Sequence, residues 1–176
     1  ERIDVEALRR RFVARDAVIG IIGLGYVGLP LVGAVAGAGF RVVGFDIDAE
    51  KVALLNAGRS YIRHIPDDDI AALVASRRFR AVADFAELAA VDAVLICVPT
   101  PLTRHREPDL SYVTGTTEAI APHLRRGQLI VLESTTYPGT TRGVMLPILE
   151  RGGLTSGVDF FLAYSPERED PGNTQY

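Results

Sequence analysis

Short apolar runs alternate along this sequence with longer segments in which apolar residues recur at helical spacing. The runs that predict β-strands are Val18–Ile22, Arg41–Phe45, Phe79–Ala83, Ala93–Val98, Leu129–Glu133 and Phe160–Tyr164. The Ala93–Val98 run is almost continuously apolar, as expected of a central parallel strand that is covered on both faces. The repeated alternation of strand and helix predicts an α/β fold built on a parallel sheet.

Helices are predicted between the strands, and several begin at a residue suited to capping. The predicted helical segments are Val5–Val13, Leu29–Ala38, Asp48–Asn56, Asp67–Ser76, Phe85–Ala89, Ser111–Leu124 and Thr140–Glu150. We expect Asp48, Asp67 and Thr140 to cap their helices, because a short oxygen-bearing side chain accepts hydrogen bonds from N–H groups of the first turn. Right-handed crossovers then give a doubly wound parallel sheet with the strand order 3-2-1-4-5-6.

The strongest local signal follows the first strand, where Gly23-Leu24-Gly25-Tyr26-Val27-Gly28 leads into a helix. Gly23 allows a tight turn, Gly25 lets the backbone approach a pyrophosphate, and Gly28 lets the helix pack closely on the sheet. The helix N-terminus presents free N–H groups to phosphates. A glycine-rich turn in an unrelated α/β domain is the alternative. The register of strand, glycines, helix, strand and the acidic Asp46 instead favours a Rossmann domain that binds a dinucleotide.

Asp46, after the second strand, predicts which dinucleotide binds. Its carboxylate is expected to accept hydrogen bonds from the adenosine ribose hydroxyls and to repel the 2′-phosphate of NADP. No Arg or Lys follows Asp46 directly, so the predicted cofactor is NAD. Lys51 is expected to reach the ribose or the adenosine-side phosphate, with a solvated helix lysine as the alternative. Tyr26 and Val27 complete the predicted cofactor-binding loop.

Polar residues also follow other predicted strands, at the sheet edge where ligands gather in such folds. Val98-Pro99-Thr100 predicts a rigid turn, and the Thr100 hydroxyl is expected to bond the nicotinamide-side ribose or phosphate. Glu133 and Thr135 are expected to face the same site, with simple strand termination as the alternative. Cys97 lies in an apolar run with no neighbouring His or cation in sequence, so it is interpreted as a buried structural thiol.

Glu167 and Arg168 follow the last predicted strand. A carboxylate beside an arginine at the carboxyl end of a strand can act as a general base or position a water molecule. A solvated charged loop is the alternative, and it would be favoured if these two residues were the only signal.

Composition and charge narrow the classes of partner. The chain has 176 residues, of which 48% are hydrophobic and 23% charged, as is ordinary for a globular protein. A net charge of −3 provides no basic field for nucleic acid or membrane surfaces. No apolar run predicts a membrane span or a signal peptide, so a cytoplasmic location is expected. One cysteine and three scattered histidines predict neither an intrachain disulfide nor a metal site.

Taken together, the motifs resemble the UDP-glucose/GDP-mannose dehydrogenase family. The match runs over essentially the whole length of the chain, and its segments are Gly23–Pro30, Phe45–Asp48, Cys97–Pro101, Glu133–Thr141 and Ser165–Asn173. The resemblance implies an NAD-binding domain at residues 16–176, preceded by a helical extension at residues 1–15. It also implies that the chain is truncated before the central helix and second domain of such enzymes, and that the full-length enzyme is a homo-oligomer.

Enzymes of this family use NAD twice to oxidise C6 of a nucleotide sugar, through a thioester on a cysteine. By resemblance, the residues that line the NAD site are Gly23, Gly25, Gly28, Asp46, Lys51, Thr100 and Thr135. Thr135 and Glu167 resemble the catalytic pair that positions or activates water, and Arg168 resembles a residue near the sugar nucleotide. Cys97 does not match the motif of the nucleophilic cysteine, so the chain alone is expected to be inactive.

Within the family, three segments resemble the branch that oxidises UDP-N-acetylhexosamines, and UDP-N-acetylglucosamine is the expected substrate. These segments are Ser60–Ile62, His64–Ile65 and Pro108–Tyr112. Two other classes stay open. A β-hydroxyacid or 6-phosphogluconate-type dehydrogenase shares the glycine motif but does not require the segments that begin at Glu133 and Ser165. A non-catalytic NAD-binding module would not need Thr135 or Glu167.

Overall fold

The computed structural model describes residues 3–104 and 107–166 and contains one parallel sheet. Its strands are β1 Val18–Ile22, β2 Arg41–Phe45, β3 Phe79–Val82, β4 Ala93–Ile96, β5 Leu129–Leu132 and β6 Phe161–Tyr164. Its α-helices are α1 Val5–Val13, α2 Gly28–Gly37, α3 Ala49–Asn56, α4 Asp67–Ala75, α5 Ser111–Ile120 and α6 Leu146–Leu149. The strand order is β3-β2-β1-β4-β5-β6. The predicted fold class and strand order are therefore confirmed.

Apolar side chains pack on both faces of the sheet because successive strand residues point to opposite sides. Ile21 of β1 belongs to one buried cluster with Leu29 of α2. The next residue, Ile22, belongs to a second buried cluster with Val113 of α5 and Leu149 of α6. The two clusters hold the parallel strands so that their carboxyl ends meet at one edge. Among residues 3–104 and 107–166, no helix combines the length and apolar character needed to cross a membrane.

The segment 140–152 departs from the single helix predicted there. It forms a π-helix over Thr141–Met145, then α6, then a 3₁₀ turn over Glu150–Gly152. Pro147 has no backbone N–H, so the regular hydrogen-bond ladder of an α-helix cannot pass through that position. A 3₁₀ turn over Ala121–His123, which also contains a proline, likewise replaces the end of the helix predicted after residue 110.

Of the three predicted helix caps, only Asp48 caps its helix. Its Oδ1 accepts hydrogen bonds of 3.0 and 3.3 Å from two N–H groups in the first turn of α3. Asp67 is instead the first residue of α4, and its carboxylate accepts the Ser60 N–H at 2.7 Å. The Thr140 hydroxyl donates to the Tyr137 carbonyl at 2.9 Å. These two predictions were wrong because a bond to a preceding loop satisfies the side chain that was expected to cap.

Asp92, directly before β4, ties α1 and the start of β5 to the sheet edge opposite the strand carboxyl ends. Its side chain is 2% exposed and accepts the Val18 N–H at 2.8 Å. It also pairs with the guanidinium of Arg11 from α1 and with that of Arg125, the latter at 3.0 Å. Both arginines are partly exposed to solvent. The buried Asp92 carboxylate thus joins three segments of the chain.

We expect Asp92→Ala to lower the free energy of unfolding by about 3 kcal/mol, as when one partner of a buried ion pair is removed. The variant leaves the Val18 N–H without its acceptor and removes the carboxylate partner of two guanidinium groups. Glu6→Gln is the matched control, because Glu6 and Arg9 form an exposed pair at 3.4 Å. The control should change stability by less than about 0.5 kcal/mol. Urea unfolding checks both values, and a loss at Asp92 as small as the control's would contradict this role.

Candidate cofactor site

The carboxyl ends of β1, β2, β4 and β5 surround a cavity of about 590 Å³, within the range of small-molecule sites. It lies where the strand order reverses between β1 and β4, the position at which ligands bind in open parallel sheets. The predicted site residues that line it are Gly23, Gly25, Tyr26, Val27, Asp46, Lys51, Val98, Pro99, Thr100, Glu133 and Thr135. Residues from four separate strand ends are thus brought together as the sequence predicted.

Two glycines allow the loop after β1 to pack tightly against itself and β4. Gly23 has φ +90°, and a Cβ atom there would lie 2.7 Å from the Cys97 carbonyl oxygen. A Cβ atom at Gly28 would lie 1.8 Å from the Gly23 carbonyl oxygen, well inside contact distance. Gly28 itself does not line the cavity. Because it has no side chain, Gly28 allows α2 to begin close to the end of β1.

Gly25 differs from both, because a Cβ atom there would meet no protein atom within 4 Å. It lines the cavity, and its backbone faces space that a side chain would occupy. Helix α2 begins three residues later, with no acidic residue in its first turn and no side-chain cap. An open backbone beside an uncapped helix N-terminus fits the pyrophosphate of a dinucleotide.

The Asp46 carboxylate is held in place by two backbone groups. Its Oδ2 accepts the Leu24 N–H and its Oδ1 accepts the Asp48 N–H, each at 3.0 Å. Asp46 is 9% exposed and lines the cavity. Because each carboxylate oxygen has two lone pairs, both oxygens keep the capacity to accept a ribose hydroxyl. The residue therefore orders the loop as well as facing the predicted ribose position.

Two side-chain hydrogen bonds join the ends of β4 and β5. The Ser134 hydroxyl donates to the Val98 carbonyl at 2.6 Å, and the Thr100 hydroxyl donates to the Thr135 carbonyl at 2.7 Å. The Thr100 proton is thus committed within the protein, which leaves its oxygen as an acceptor for a ligand. Ser134 is buried and was not singled out from the sequence. Thr135 is exposed at the rim.

The cavity has an apolar wall that the sequence analysis missed. Ile47, Phe85 and Tyr112 line it, and Ile47 is 85% exposed. A signal for Ile47 was present, since an apolar residue directly after Asp46 and beyond the strand has no place in the core. Phe85 and Tyr112 come from a 3₁₀ turn and from α5, and only the tertiary fold brings them here.

Cys97 also lines the cavity, although it is buried. The strand predicted over Ala93–Val98 ends at Ile96, so Cys97 follows β4 and does not lie inside it. The prediction of a buried thiol is confirmed. Glu167 and Arg168 lie outside the described residues. Within the described part of the chain, no group of acidic, His and Cys side chains could hold a metal ion.

These features together define a Rossmann-type dinucleotide-binding domain. They are the glycine loop after β1, the acidic residue at the end of β2, and the cavity where the strand order reverses. A model of the UDP-glucose/GDP-mannose dehydrogenase family, NAD binding domain, matches residues 17–176. The chain therefore belongs to this family, whose cofactor in this domain is NAD. The resemblance inferred from the sequence motifs is confirmed.

Curated relatives and solved structures agree with this assignment. UDP-N-acetyl-D-glucosamine 6-dehydrogenase of Pseudomonas aeruginosa is 36% identical over 163 residues, which cover 92% of this chain and 38% of the relative. UDP-N-acetyl-D-mannosamine dehydrogenase of Pyrococcus horikoshii is 37% identical over 163 residues, covering 88% and 37%. The structure of NDP-N-acetyl-D-galactosaminuronic acid dehydrogenase from Methanosarcina mazei Go1 superposes with a TM-score of 0.83 at 34% identity, covering 94% and 38%. The chain thus spans 37–38% of the length of these relatives.

Alanine at Gly25 and at Gly28 should have opposite consequences. Gly25→Ala should weaken NAD binding at least about tenfold with stability unchanged, because its methyl group enters the pyrophosphate position without touching protein. Gly28→Ala should cost at least about 3 kcal/mol of stability, since its methyl group overlaps a backbone carbonyl. Calorimetric titration and urea unfolding measure the two effects.

Gly33→Ala is the control for both glycine variants. It lies inside α2, where a Cβ atom meets nothing within 4 Å. It should add about 0.5–1 kcal/mol of stability through helix propensity and leave NAD affinity unchanged. A Gly25→Ala variant that binds NAD normally would contradict the placement of the pyrophosphate.

Asp46→Ala should weaken NAD binding and reduce the preference for NAD over NADP, because the charge that repels the 2′-phosphate is lost. It should also cost about 1–3 kcal/mol of stability, since two backbone N–H groups lose their acceptor. Asp48→Ala is the control, because it removes a neighbouring carboxylate and a helix cap worth about 1 kcal/mol outside the cavity. Its ratio of NADP to NAD dissociation constants should match that of the unmodified chain. If Asp46→Ala also kept the ratio of the unmodified chain, the role of Asp46 in discriminating against NADP would be refuted.

Proposed function

We propose that this chain is the NAD-binding part of an enzyme that oxidises C6 of a UDP-N-acetylhexosamine to the uronic acid in two NAD-dependent steps. The observation that carries the proposal is the shared cavity, in which the family's segments at Glu133–Thr135 and Val98–Thr100 meet the glycine loop. A module that only held NAD would use these segments for the cofactor alone and would not need Thr135 and Glu167 as a catalytic pair. Family membership supports the same activity.

Each side of the cavity has a distinct role in this proposal. The glycine loop and the N-terminus of α2 hold the pyrophosphate, and Asp46 accepts the ribose hydroxyls. Ile47 and Phe85 provide apolar surface against which the adenine packs. Thr100 and Thr135, from the β4 and β5 ends, hold the nicotinamide side. When bound there, NAD supplies the hydride acceptor for both oxidations.

Thr135 and Glu167 are proposed to position the water molecule that releases the acid product. Thr135 is exposed at the rim, and its carbonyl is fixed by the Thr100 hydroxyl at 2.7 Å, so the residue is held beside the cavity. Glu167 and Arg168 follow β6, whose carboxyl end borders that of β5. The nucleophilic cysteine and most of the sugar-nucleotide pocket belong to other parts of the complete enzyme, so this chain alone is expected to give no turnover.

The proposed substrate is UDP-N-acetylglucosamine, and UDP-N-acetylmannosamine is the second candidate. The Salmonella typhi relative that oxidises the former is 35% identical. The second candidate is supported by a UDP-N-acetyl-D-mannosamine dehydrogenase of Escherichia coli K12, which is 38% identical to this chain. The two sugars differ only in configuration at C2.

The complete gene product should reduce two NAD molecules for each UDP-N-acetylglucosamine, measured as NADH absorbance against uronic acid formed. Its kcat/KM for this sugar should exceed those for UDP-N-acetylmannosamine, UDP-glucose and GDP-mannose by at least about tenfold, as when a site makes specific bonds to one substrate. N-acetylglucosamine 1-phosphate, which lacks the uridine and one phosphate, is the control and should be a poor substrate.

These measurements test separately the choice of sugar, the reaction class and whether the protein is catalytic. Preference for UDP-N-acetylmannosamine would overturn the choice of sugar and leave the reaction class intact. Oxidation of small β-hydroxyacids in place of UDP-sugars would refute the reaction class. NAD binding without oxidation of any of these compounds by the complete protein would indicate a non-catalytic module.

A further inference from the structure

The segment 60–65, between α3 and α4, lies directly against the glycine loop. Ile62 is 3% exposed and belongs to the same buried cluster as Leu24 of the loop. The Tyr61 hydroxyl donates a hydrogen bond to the Leu24 carbonyl. The rings of His64 and Tyr26 lie with centroids 6.2 Å apart. The segment therefore contacts the loop on both sides of Gly25, the residue whose backbone faces the cavity.

Both backbone polar groups of Leu24 are held by side chains. Its N–H donates to the Asp46 carboxylate at 3.0 Å, and its carbonyl accepts the Tyr61 hydroxyl. Leu24 lies in neither a helix nor a strand, so no regular ladder would otherwise fix it. The position of Gly25, the next residue, is thus set by two side chains from distant parts of the chain.

Tyr61 also contacts the cation of the cavity. The Lys51 ammonium lies 5.5 Å from the centroid of the Tyr61 ring, within the range of a cation–π interaction. Lys51 lines the cavity, whereas Tyr61 does not. The aromatic face thus restrains a long flexible side chain whose charge is opposite to that of a pyrophosphate.

The Tyr61 hydroxyl is protonated and can therefore act as a hydrogen-bond donor. Burial, followed by the charges of Asp46 and Asp48, raises the pKa of Tyr61 well above its usual value. The phenol is therefore protonated at neutral pH and can donate to the Leu24 carbonyl.

We propose that Tyr61 is a positioning residue for NAD, which acts through Leu24 and Lys51 without touching the cofactor. Its hydroxyl fixes the backbone ahead of Gly25 in the shape that receives the pyrophosphate. Its ring holds the Lys51 ammonium beside the cavity. The inference rests on the proposed use of this cavity for NAD and extends it to a residue outside the cavity wall.

The test is a set of NAD titrations of the 176-residue chain by calorimetry, with Tyr61 and Lys51 varied singly and together. Tyr61→Phe keeps the ring and removes the hydroxyl, whereas Tyr61→Leu removes both. Tyr61→Phe should raise the dissociation constant about three- to tenfold, as expected for one lost hydrogen bond. Lys51→Met should weaken binding by the same factor in the unmodified and Tyr61→Phe backgrounds. In the Tyr61→Leu background its effect should shrink by at least about threefold, because the ring no longer restrains the ammonium.

Asn56→Ala separates positioning from general loss of stability. The Asn56 amide pairs with the Ala81 backbone at 2.8 and 2.9 Å, away from the cavity, so its loss should destabilise the fold without affecting the loop. Asn56→Ala should therefore leave NAD affinity unchanged. Loss of affinity in this control matching that of Tyr61→Phe would overturn the proposal.

Two further outcomes are equally informative. Normal NAD binding by Tyr61→Phe together with an undiminished Lys51→Met effect in Tyr61→Leu would overturn the role of Tyr61 alone. Absence of NAD binding by the unmodified chain would overturn both this inference and the proposed use of the cavity.

Discussion

The approach of Gly28 to the Gly23 carbonyl is the constraint on which the cofactor site depends. A single Cβ atom at residue 28 would lie 1.8 Å from that oxygen. Only glycine lets α2 begin close to the end of β1, and this closeness places the helix N-terminus beside Gly25. With a larger separation, the helix would still cover the sheet, but its free N–H groups would not reach a ligand in the crevice between β1 and β4.

Side-chain hydrogen bonds hold the backbone of the glycine loop and of the neighbouring strand ends in place. Glycine loops have high conformational freedom, and ordering one on ligand binding costs entropy. Here Asp46 and Tyr61 hold the two backbone groups of Leu24, while Ser134 and Thr100 link the ends of β4 and β5. The cavity is consequently formed before a ligand enters, so less binding free energy is spent on ordering the protein.

The sequence was sufficient for features that local spacing and simple topology determine. Periodicity predicted the strands and helices, and the rule of right-handed crossovers predicted the sheet order. Gly23, Gly25 and Asp46 were expected at the cavity because each follows a strand end. Two kinds of feature were missed. The loop bonds of Asp67 and Thr140 and the distorted helix around Pro147 are local, but several local conformations competed there. The apolar wall formed by Phe85 and Tyr112 depends on tertiary contacts. Tyr61 belongs to the same group, since nothing in its neighbours along the chain indicates contact with Leu24.

The central claim is that NAD binds at the carboxyl ends of β1, β2, β4 and β5, with its pyrophosphate at the glycine loop. Amide chemical-shift mapping of the 19.0 kDa chain during an NAD titration tests this claim directly. The largest shifts should fall on Gly25, Tyr26 and Val27, with further shifts at the ends of β2, β4 and β5. Amides near Asp92 and Gln128, at the opposite edge of the sheet, should not move. Shifts concentrated at that opposite edge, or none at the glycine loop at saturating NAD, would contradict the account.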